Sequence, residues 1–434
     1  MQPYCQHQCG TRSSNSALDT SLHLIPLFTS VTLVSQQTVD LLPVTDKRKV
    51  RSTFVSLTSS ALQRPSTAPD FLLSRPTGSV RTQGAAAVFS TIDEAITALT
   101  SGQAEMVVGA LPFERACPAA LTVPQRIIRE EGVLHPHPFY TTGAGSHLNA
   151  ALIGVDPAPN EHLRRIEAAV STIRRSSLDK VVLARAVDIA FNPPVDPRLV
   201  AARLIELSAT GDGFIVDLSP AGKQGHFLVG SSPEVLVRRQ GHHVTSYPLA
   251  GSAARIPNDP AADAEAGRRL AASAKDLDEH AYVVEHIREI LAPLCTQLNI
   301  PDRPRLEKTN EMWHLATPIE GQLREPAPNA LELARMLYPT PAVCGTPQNA
   351  AEALITTAES ERGFYAGAVG YTEANGNGEY MVAIRCAEVA GDGKTARAWA
   401  GGGLVADSDP QAELDETTAK LRTIMRALGL DTEA

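Results

Sequence analysis

With 434 residues, of which 43% are hydrophobic and 20% charged, the chain is long enough to bury a large core and has the composition of an ordinary globular protein. Its net charge of −9, without a long run of lysine or arginine, argues against nucleic-acid binding. The longest uncharged run, residues 20–39, contains a proline and many Ser, Thr and Gln residues. It therefore does not predict a membrane span, and the cytoplasm is the expected location.

The first 65 residues differ from the rest, because they are rich in Ser, Thr and Gln, poor in acids, and carry a basic cluster at residues 47–51. We interpret residues 1–65 as a poorly ordered extension of the domain formed by residues 66–434; a transit peptide and a misplaced start are the alternatives. The six cysteines have irregular spacing, which fits free thiols in a reducing compartment. Cys5-Gln-His7-Gln-Cys9 lacks the second ligand pair of a zinc site.

From residue 71 the pattern becomes globular, with short apolar runs that predict strands. Residues 91–100 predict a short helix opened by Thr91, and residues 161–175 predict an amphipathic helix. A strand follows with Lys180 at its entrance, and strands separated by glycine-rich turns continue to about residue 250.

Two long helices are predicted next, over residues 263–294 and 329–336. Three strands follow at residues 367–373, 379–389 and 396–405, and residues 375–378 between the first two predict a hairpin turn. The last helix is predicted to open with a capping box in which Ser408 is the N-cap. Its apolar face consists of Leu414, Leu421, Met425 and Leu428. Strand-rich blocks with intervening helices predict an α+β architecture.

Nine short blocks of charged and small residues occur in a fixed order between residues 180 and 421. They are KVVLAR (180–185), VGSSPEVLVRR (229–239), PLAGSAAR (248–255), KDLDEH (275–280), WHLATPIEG (313–321), PTPAVCGTP (339–347), VAIRC (382–386), AGGGL (400–404) and ELDETTAKL (413–421). Single blocks of this kind occur by chance, but the ordered set does not. Over roughly residues 71–430 the chain resembles the chorismate-utilising enzymes, and among them the isochorismate synthases of catecholate siderophore pathways.

This resemblance implies a single domain of two large, mainly antiparallel β-sheets packed together and flanked by helices. It also implies a magnesium-dependent isomerase that adds water at C2 of chorismate while the C4 hydroxyl leaves, for siderophore or menaquinone biosynthesis. The expected partner is the small molecule chorismate, with no nucleic acid, membrane or amidotransferase subunit. The usual family expectation is a monomer.

Two residues match the family's positions for proton transfer. Lys180 matches the lysine that takes a proton from the attacking water, a role open to a lysine only where burial or nearby cations lower its pKa. Glu234 matches the general acid for the departing hydroxyl, which requires a carboxyl with a raised pKa. The alternatives are a solvated lysine and an ordinary carboxylate at a strand end. Arg185 is expected on the opposite face of the strand from Lys180.

The resemblance makes Glu279 and Glu416 ligands of one Mg²⁺ ion that grips the C1 carboxylate of chorismate, and Glu413 could hold a metal-bound water. The alternative for the last helix is a solvated face with an ion pair between Glu416 and Lys420.

Arg385 is a clue that does not depend on the family, because a guanidinium within an apolar strand needs a carboxylate partner. It matches the family arginine that binds the enolpyruvyl carboxylate. His314 is either a satisfied core histidine or a substrate contact. The other predicted substrate contacts are Gly251, Ser252, Thr317, Gly401, Gly402 and Lys420.

Two positions depart from the family pattern: Tyr338 replaces the usual histidine before PTPA, and Ala254 stands at an arginine-like position after PLAGS. A salicylate synthase, which adds pyruvate elimination in the same pocket, is the alternative enzyme. A non-catalytic chorismate-binding protein is the alternative of another class. It would be expected to lack at least one of Lys180, Glu234, Glu279 and Glu416, and all four are present.

Overall fold

The computed structural model describes residues 63–430, so the predicted N-terminal extension lies outside the described residues except for its last three positions. The helices are α1 Ile92–Thr100, α2 Pro138–Thr141, α3 Pro159–Ile173, α4 Pro197–Leu207, α5 Pro260–Ala272, α6 Ala274–Leu291, α7 Ala330–Leu337, α8 Gln348–Ala358 and α9 Pro410–Ala427. None of these helices is both long and apolar enough to cross a membrane.

The strands are short and numerous. They are β1 Phe71–Ser74, β2 Ser79–Phe89, β3 Met106–Leu111, β4 Ala120–Glu130, β5 Ala150–Asp156, β6 Lys180–Phe191, β7 Gly213–Asp217, β8 Phe227–Gly230, β9 Val235–Gln240, β10 His243–Tyr247, β11 Leu249–Ala254, β12 Cys295–Asn299, β13 Arg305–Lys308, β14 Met312–Ala316, β15 Ile319–Leu323, β16 Gly345–Thr346, β17 Ala368–Glu373, β18 Gly378–Val382, β19 Cys386–Val389 and β20 Thr395–Leu404.

Every strand pairing among the described residues is antiparallel. Strands β11, β13 and β14 form a three-stranded sheet, and the other 17 strands form one hydrogen-bonded network. Helices flank these sheets. The prediction of an α+β domain with large antiparallel sheets is therefore confirmed.

Strand β6 carries the candidate base into the interior. Its apolar residues enter both hydrophobic clusters: Val181 and Leu183 belong to one cluster, and Val187 and Ile189 to the other. Strand β20 pairs with β6 from Thr395 opposite Ala190 to Leu404 opposite Val181. This long ladder holds the glycines of β20 beside the start of β6, where Lys180 lies.

The predicted helix over residues 263–294 was wrong, because the structure has two helices that meet at Ser273. The backbone of Ser273 is extended, and its hydroxyl accepts a hydrogen bond from the amide of Asp276. Ser273 thus acts as the N-cap of α6, a role for which serine is well suited. The break lets α6 take its own direction toward the site.

Two other local predictions were also wrong. The N-cap of α9 is Asp409 and not Ser408: the Asp409 carboxylate accepts from the amide of Ala412, while the Ser408 hydroxyl accepts from Val405. Arg385 does not lie within a strand, since β18 ends before it, β19 begins after it, and its φ is +51°. The helix opened by Thr91 and the hairpin turn at residues 375–378 are confirmed.

Candidate active site

A buried cavity of about 60 Å³ lies between the segment that precedes β9, the strands β11, β14 and β20, and the helices α6 and α9. Its walls include eight of the residues predicted from the sequence: Glu234, Gly251, Ser252, Glu279, His314, Arg385, Gly401 and Lys420. Five other predicted residues do not line it: Lys180, Thr317, Gly402, Glu413 and Glu416. A cavity of this volume holds a few waters.

Lys180 is fully buried at the start of β6, directly behind Glu279. Its Nζ lies 3.1 Å from Oε1 of Glu279 on α6. Burial alone would raise the pKa of Glu279, but the ammonium groups of Lys180, Lys275 and Lys420 hold it below its ordinary value. Glu279 is therefore an ionised carboxylate between Lys180 and the cavity.

Glu234 is the opposite case, a carboxyl that burial keeps protonated. It precedes β9 and is only 3% exposed. Desolvation raises its pKa to about 8, against the smaller opposing effects of the Leu249 amide and the charges of Lys180 and Lys420. At pH 7 about nine in ten Glu234 side chains then carry a proton, so this residue can donate one.

The three carboxylates predicted to hold magnesium each face a lysine. Glu279 pairs with Lys180, Glu413 Oε1 lies 2.7 Å from Lys275 Nζ, and Glu416 pairs closely with Lys420, one turn further along α9. Among residues 63–430 no three His, Cys, Asp or Glu side chains converge closely enough to hold a metal ion.

The same carboxylates nevertheless fit a hard divalent cation. The Oε2 atom of Glu413 is buried and has no hydrogen-bond partner among the residues that the structure describes, and burial followed by the charge of Glu416 raises the pKa of Glu413 to about 7. A Cβ on Gly403 would lie 2.2 Å from Glu279 Oε1, and one on Gly402 would lie 3.3 Å from Glu413 Oε2. The glycines of β20 thus leave room for carboxylate oxygens, the ligands that Mg²⁺ prefers.

Arg385 is 6% exposed and has no carboxylate within ion-pair distance in the described part of the chain. Its guanidinium has only distant polar neighbours: the Lys420 carbonyl and His314 Nε2 at 3.5 Å, and Thr423 Oγ1 at 3.4 Å. Burial lowers its pKa, yet an arginine remains charged. The carboxylate partner expected from the sequence is therefore absent from this part of the protein, and the charge faces the cavity.

The remaining predicted contacts divide into two groups. Burial, followed by the charges of Arg385 and Lys420, holds the pKa of His314 well below its ordinary value, so its ring is neutral. Gly251 has φ +73° and takes the chain past Asp276, whose Cβ would be 3.1 Å from an added Cβ. Thr317 instead bonds His280, with 2.7 Å between Oγ1 and Nε2, outside the cavity wall.

Comparison with known proteins decides the family. The family model described as "Chorismate binding enzyme" matches residues 141–429, which is more than half of the chain. The chain belongs to the chorismate-binding enzyme family. This chorismate-binding enzyme is 40% identical to the isochorismate synthase DhbC of Bacillus subtilis over 76% of its own length and 83% of the relative's.

Two further relatives agree with this assignment. The isochorismate synthase EntC of Escherichia coli is 37% identical, over 75% of this chain and 81% of that one. The solved structure of MenF, the menaquinone-specific isochorismate synthase of Escherichia coli, superposes with a TM-score of 0.73 at 26% identity. It covers 87% of this chain and 92% of the other.

The two departures from the family pattern lie away from the cavity of this chorismate-binding enzyme. Tyr338 is buried, its carbonyl accepts a hydrogen bond from Arg115, and the same guanidinium lies 5.6 Å from the centre of its ring. Ala254 is an exposed residue at the end of β11. Neither side chain lines the cavity.

Sequence reasoning missed an aromatic wall. Tyr365 and Trp399 both line the cavity and stack with their ring centres 5.9 Å apart. A signal for Trp399 was present, because it lies two residues before Gly401 on β20 and so shares its face of the strand. Tyr365 lies outside every helix and strand, and no periodicity could have identified it.

A buried ion pair between Glu359 and Arg362 was also missed. Arg362 donates to Glu359 Oε2 at 2.8 Å and to the carbonyls of Val182 and Val343, each at 2.7 Å, while Glu359 Oε1 accepts from the Ala184 amide at 2.7 Å. These side chains provide hydrogen-bond partners for backbone groups at the edge of β6, just past the point where the two-residue strand β16 pairs with it. They fix the relative positions of Val182 and Val343, which both line the cavity.

Proposed function

We propose that this protein is an isochorismate synthase, a magnesium-dependent isomerase that converts chorismate to isochorismate. The observation that carries the proposal is that two residues line one cavity: Glu234, a carboxyl kept protonated, and Arg385, a buried arginine without a carboxylate partner among residues 63–430. An acid and an anion-binding cation are what the loss of a hydroxyl from a dicarboxylate requires.

In the proposed reaction, the oxygen of a water molecule bonds to C2 of the ring while the bond from C4 to its hydroxyl breaks and the ring double bonds shift. Glu234 gives its proton to the departing hydroxyl. Lys180 must first lose a proton from its ammonium group; as the neutral amine, beside the carboxylate of Glu279, it then takes a proton from the attacking water. One water molecule adds at C2 and one leaves from C4, so the reaction is an isomerisation.

Substrate binding rests on the cations of the cavity. Arg385 is proposed to bind the enolpyruvyl carboxylate, because its charge is buried and has no carboxylate within ion-pair distance in the described part of the chain. The Lys420 ammonium, which donates to the Gly401 carbonyl at 3.0 Å, lies on the same wall, and the neutral ring of His314 adds no charge. Gly251, Ser252 and Gly401 are proposed to contribute backbone contacts.

Magnesium is proposed to be held by Glu279 and Glu416, with Glu413 nearby. The bound ion would supply positive charge to the ring carboxylate of chorismate and help to orient it. The protein residues keep the roles described above: Glu279 faces the cavity, and the Glu413 Oε2 atom is free to accept another ligand.

Replacing Arg385 by glutamine should have opposite effects on stability and on binding. The thermal midpoint of the substrate-free protein is expected to rise by a few degrees, because the change removes a buried charge that no carboxylate of residues 63–430 pairs with directly. Chorismate affinity should fall by at least about 30-fold, the lower end for losing a buried charge pair. Calorimetric unfolding and equilibrium binding measure the two effects; a destabilised variant with normal affinity would contradict the assignment.

Glu416→Gln should weaken Mg²⁺ binding by at least about tenfold, or about 1.4 kcal/mol, because it replaces a proposed ligand with a neutral amide. The matched control is Asp415→Asn, the same change of charge on the adjacent exposed residue, whose carboxylate accepts from Gln411. Titration calorimetry with Mg²⁺ compares the two variants. Equal affinities in both would remove Glu416 from the metal site.

The function itself is tested by incubating the purified full chain with chorismate and Mg²⁺ and identifying the product by chromatography and mass. Isochorismate, which has the mass of chorismate and a different retention, is expected. Salicylate with pyruvate would instead identify the elimination branch, and no product would exclude the proposed isomerase. We also propose that the enzyme acts as a cytoplasmic monomer without an amidotransferase subunit, which sedimentation of the purified chain tests.

A further inference from the structure

A second cavity, of about 280 Å³, adjoins the catalytic one. Pro233, Leu249 and Arg385 line both cavities, so the two share a wall at the guanidinium of Arg385. The catalytic cavity has a volume of only about 60 Å³. The larger outer cavity is thus a space from which a ligand can reach Arg385.

The turn between β13 and β14 covers the outer cavity. Its Asn310 side chain donates a 2.5 Å hydrogen bond to the carbonyl of Leu207 at the end of α4. The next residue, Glu311, accepts a 2.8 Å hydrogen bond from Thr423 on α9, and its Oε1 lies 3.6 Å from Arg426 Nη1. The turn is therefore tied to helices on both sides of the cavity.

Glu311 is linked to Arg385 through one hydroxyl group. The same Thr423 oxygen that donates to Glu311 lies 3.4 Å from Nη1 of Arg385. After desolvation, the charge of Glu311 has the largest effect on the pKa of Arg385, and it raises that pKa. Among residues 63–430, Glu311 is thus the counter-charge with the largest effect on an arginine that lacks a direct carboxylate partner.

The other carboxylates of the outer cavity are engaged elsewhere. Asp212 forms an ion pair with Arg75 at 2.6 Å, and Glu307 accepts a 2.9 Å hydrogen bond from the Tyr247 hydroxyl. Both residues line the cavity, as Glu311 does. Glu311 differs from them in its link to Arg385.

We propose that chorismate reaches the catalytic cavity through this outer cavity, and that Glu311 is the resident counter-charge of Arg385 whose repulsion limits the affinity for the substrate. The identity of the substrate rests on the function proposed above. When a dicarboxylate binds Arg385 through one carboxylate, that carboxylate comes close to Glu311. The region has a low dielectric, so the two negative charges repel strongly. Glu311 therefore lowers the affinity of Arg385 for a carboxylate of the substrate.

Glu311→Gln is the test, because it keeps the size of the side chain and an acceptor for Thr423 but removes the charge. The dissociation constant of chorismate should fall about fivefold at low ionic strength, and KM should fall with it while kcat stays within twofold. Binding is followed by the fluorescence of Trp399 in the catalytic cavity, which requires no turnover. Glu311→Asp, which keeps the charge, should bind chorismate like the wild type.

The matched control is Glu307→Gln, the same change on the other side of the cavity. Unchanged or weaker binding in Glu311→Gln, or an equal gain in Glu307→Gln, would overturn the proposal. If Glu311→Gln does not fold, Arg426→Gln is measured instead. It removes a positive charge beside Glu311, so the binding of chorismate should weaken. Unchanged binding in this variant would also overturn the proposal. If the wild type binds chorismate without forming isochorismate, the proposed function is wrong. The binding data would still test the role of Glu311.

Discussion

Lys180→Ala is expected to lower kcat for isochorismate formation by roughly 10²- to 10⁴-fold, the usual contribution of a positioned general base. Chorismate affinity should change only severalfold, because Lys180 lies behind Glu279 and does not line the cavity. Stopped assays with product separation give kcat, and binding is measured independently. Turnover within tenfold of the wild type would remove Lys180 from proton transfer.

The control for Lys180→Ala must lower the stability of the fold in a comparable way. Removing Lys180 leaves the Glu279 carboxylate buried beside an empty space, which costs about 3–5 kcal/mol of stability in comparable pairs. Lys275→Ala removes another lysine that pairs with a buried glutamate, Glu413, but has no proposed role in proton transfer. At saturating Mg²⁺ it should retain most of its kcat. A similar loss in both variants would assign the effect to the charge cluster.

Glu234→Gln is expected to lower kcat by roughly 10²- to 10⁴-fold, because glutamine keeps the shape but has no acidic proton to give. In the wild type, the activity that depends on this proton should decline as pH rises through about 8, the pKa that burial gives Glu234. A profile of kcat/KM against pH from 6 to 10, which reports the groups of the free enzyme, measures this limb. A residual activity that falls through the same pKa in Glu234→Gln would show that another group is responsible.

The same pKa makes a prediction about stability. Between the ordinary carboxyl pKa near 4.3 and about 8, the folded protein keeps a proton on Glu234 that the unfolded chain has lost. The free energy of unfolding therefore falls as pH rises through this range, since the folded state binds more protons. Glu234→Gln removes this dependence and should be the more stable form at pH 8, as urea unfolding at pH 5 and pH 8 would reveal.

Much of the fold was predictable because it depends on local patterns. Apolar runs between glycine-rich turns predicted the strands, and a threonine followed three residues later by an acid predicted the start of α1. The break at Ser273 was missed because the helical pattern continues across it. Serine is acceptable within a helix, and only the packing of α5 and α6 reveals its role as a cap.

The candidate site was predictable to the extent that its residues lie in ordered blocks. Eight predicted residues line one cavity, but the sequence could not reveal which carboxylates would pair with which lysines. Lys180 and Glu279 are about a hundred positions apart in the chain, and their contact depends on the register of β6 and the direction of α6. The left-handed backbone of Arg385 was not predicted either, because the apolar residues around it have the pattern of a continuous strand.

The ion pair of Glu359 and Arg362 has an evolutionary consequence. These two side chains form hydrogen bonds with the backbone amide of Ala184 and the carbonyls of Val182 and Val343. Elsewhere in the sheet, a neighbouring strand provides such hydrogen bonds. Loss of either partner leaves a buried charge and unsatisfied backbone groups, so single changes at these two positions should be strongly selected against. Lineages of this family are therefore expected to keep both residues or to replace both together.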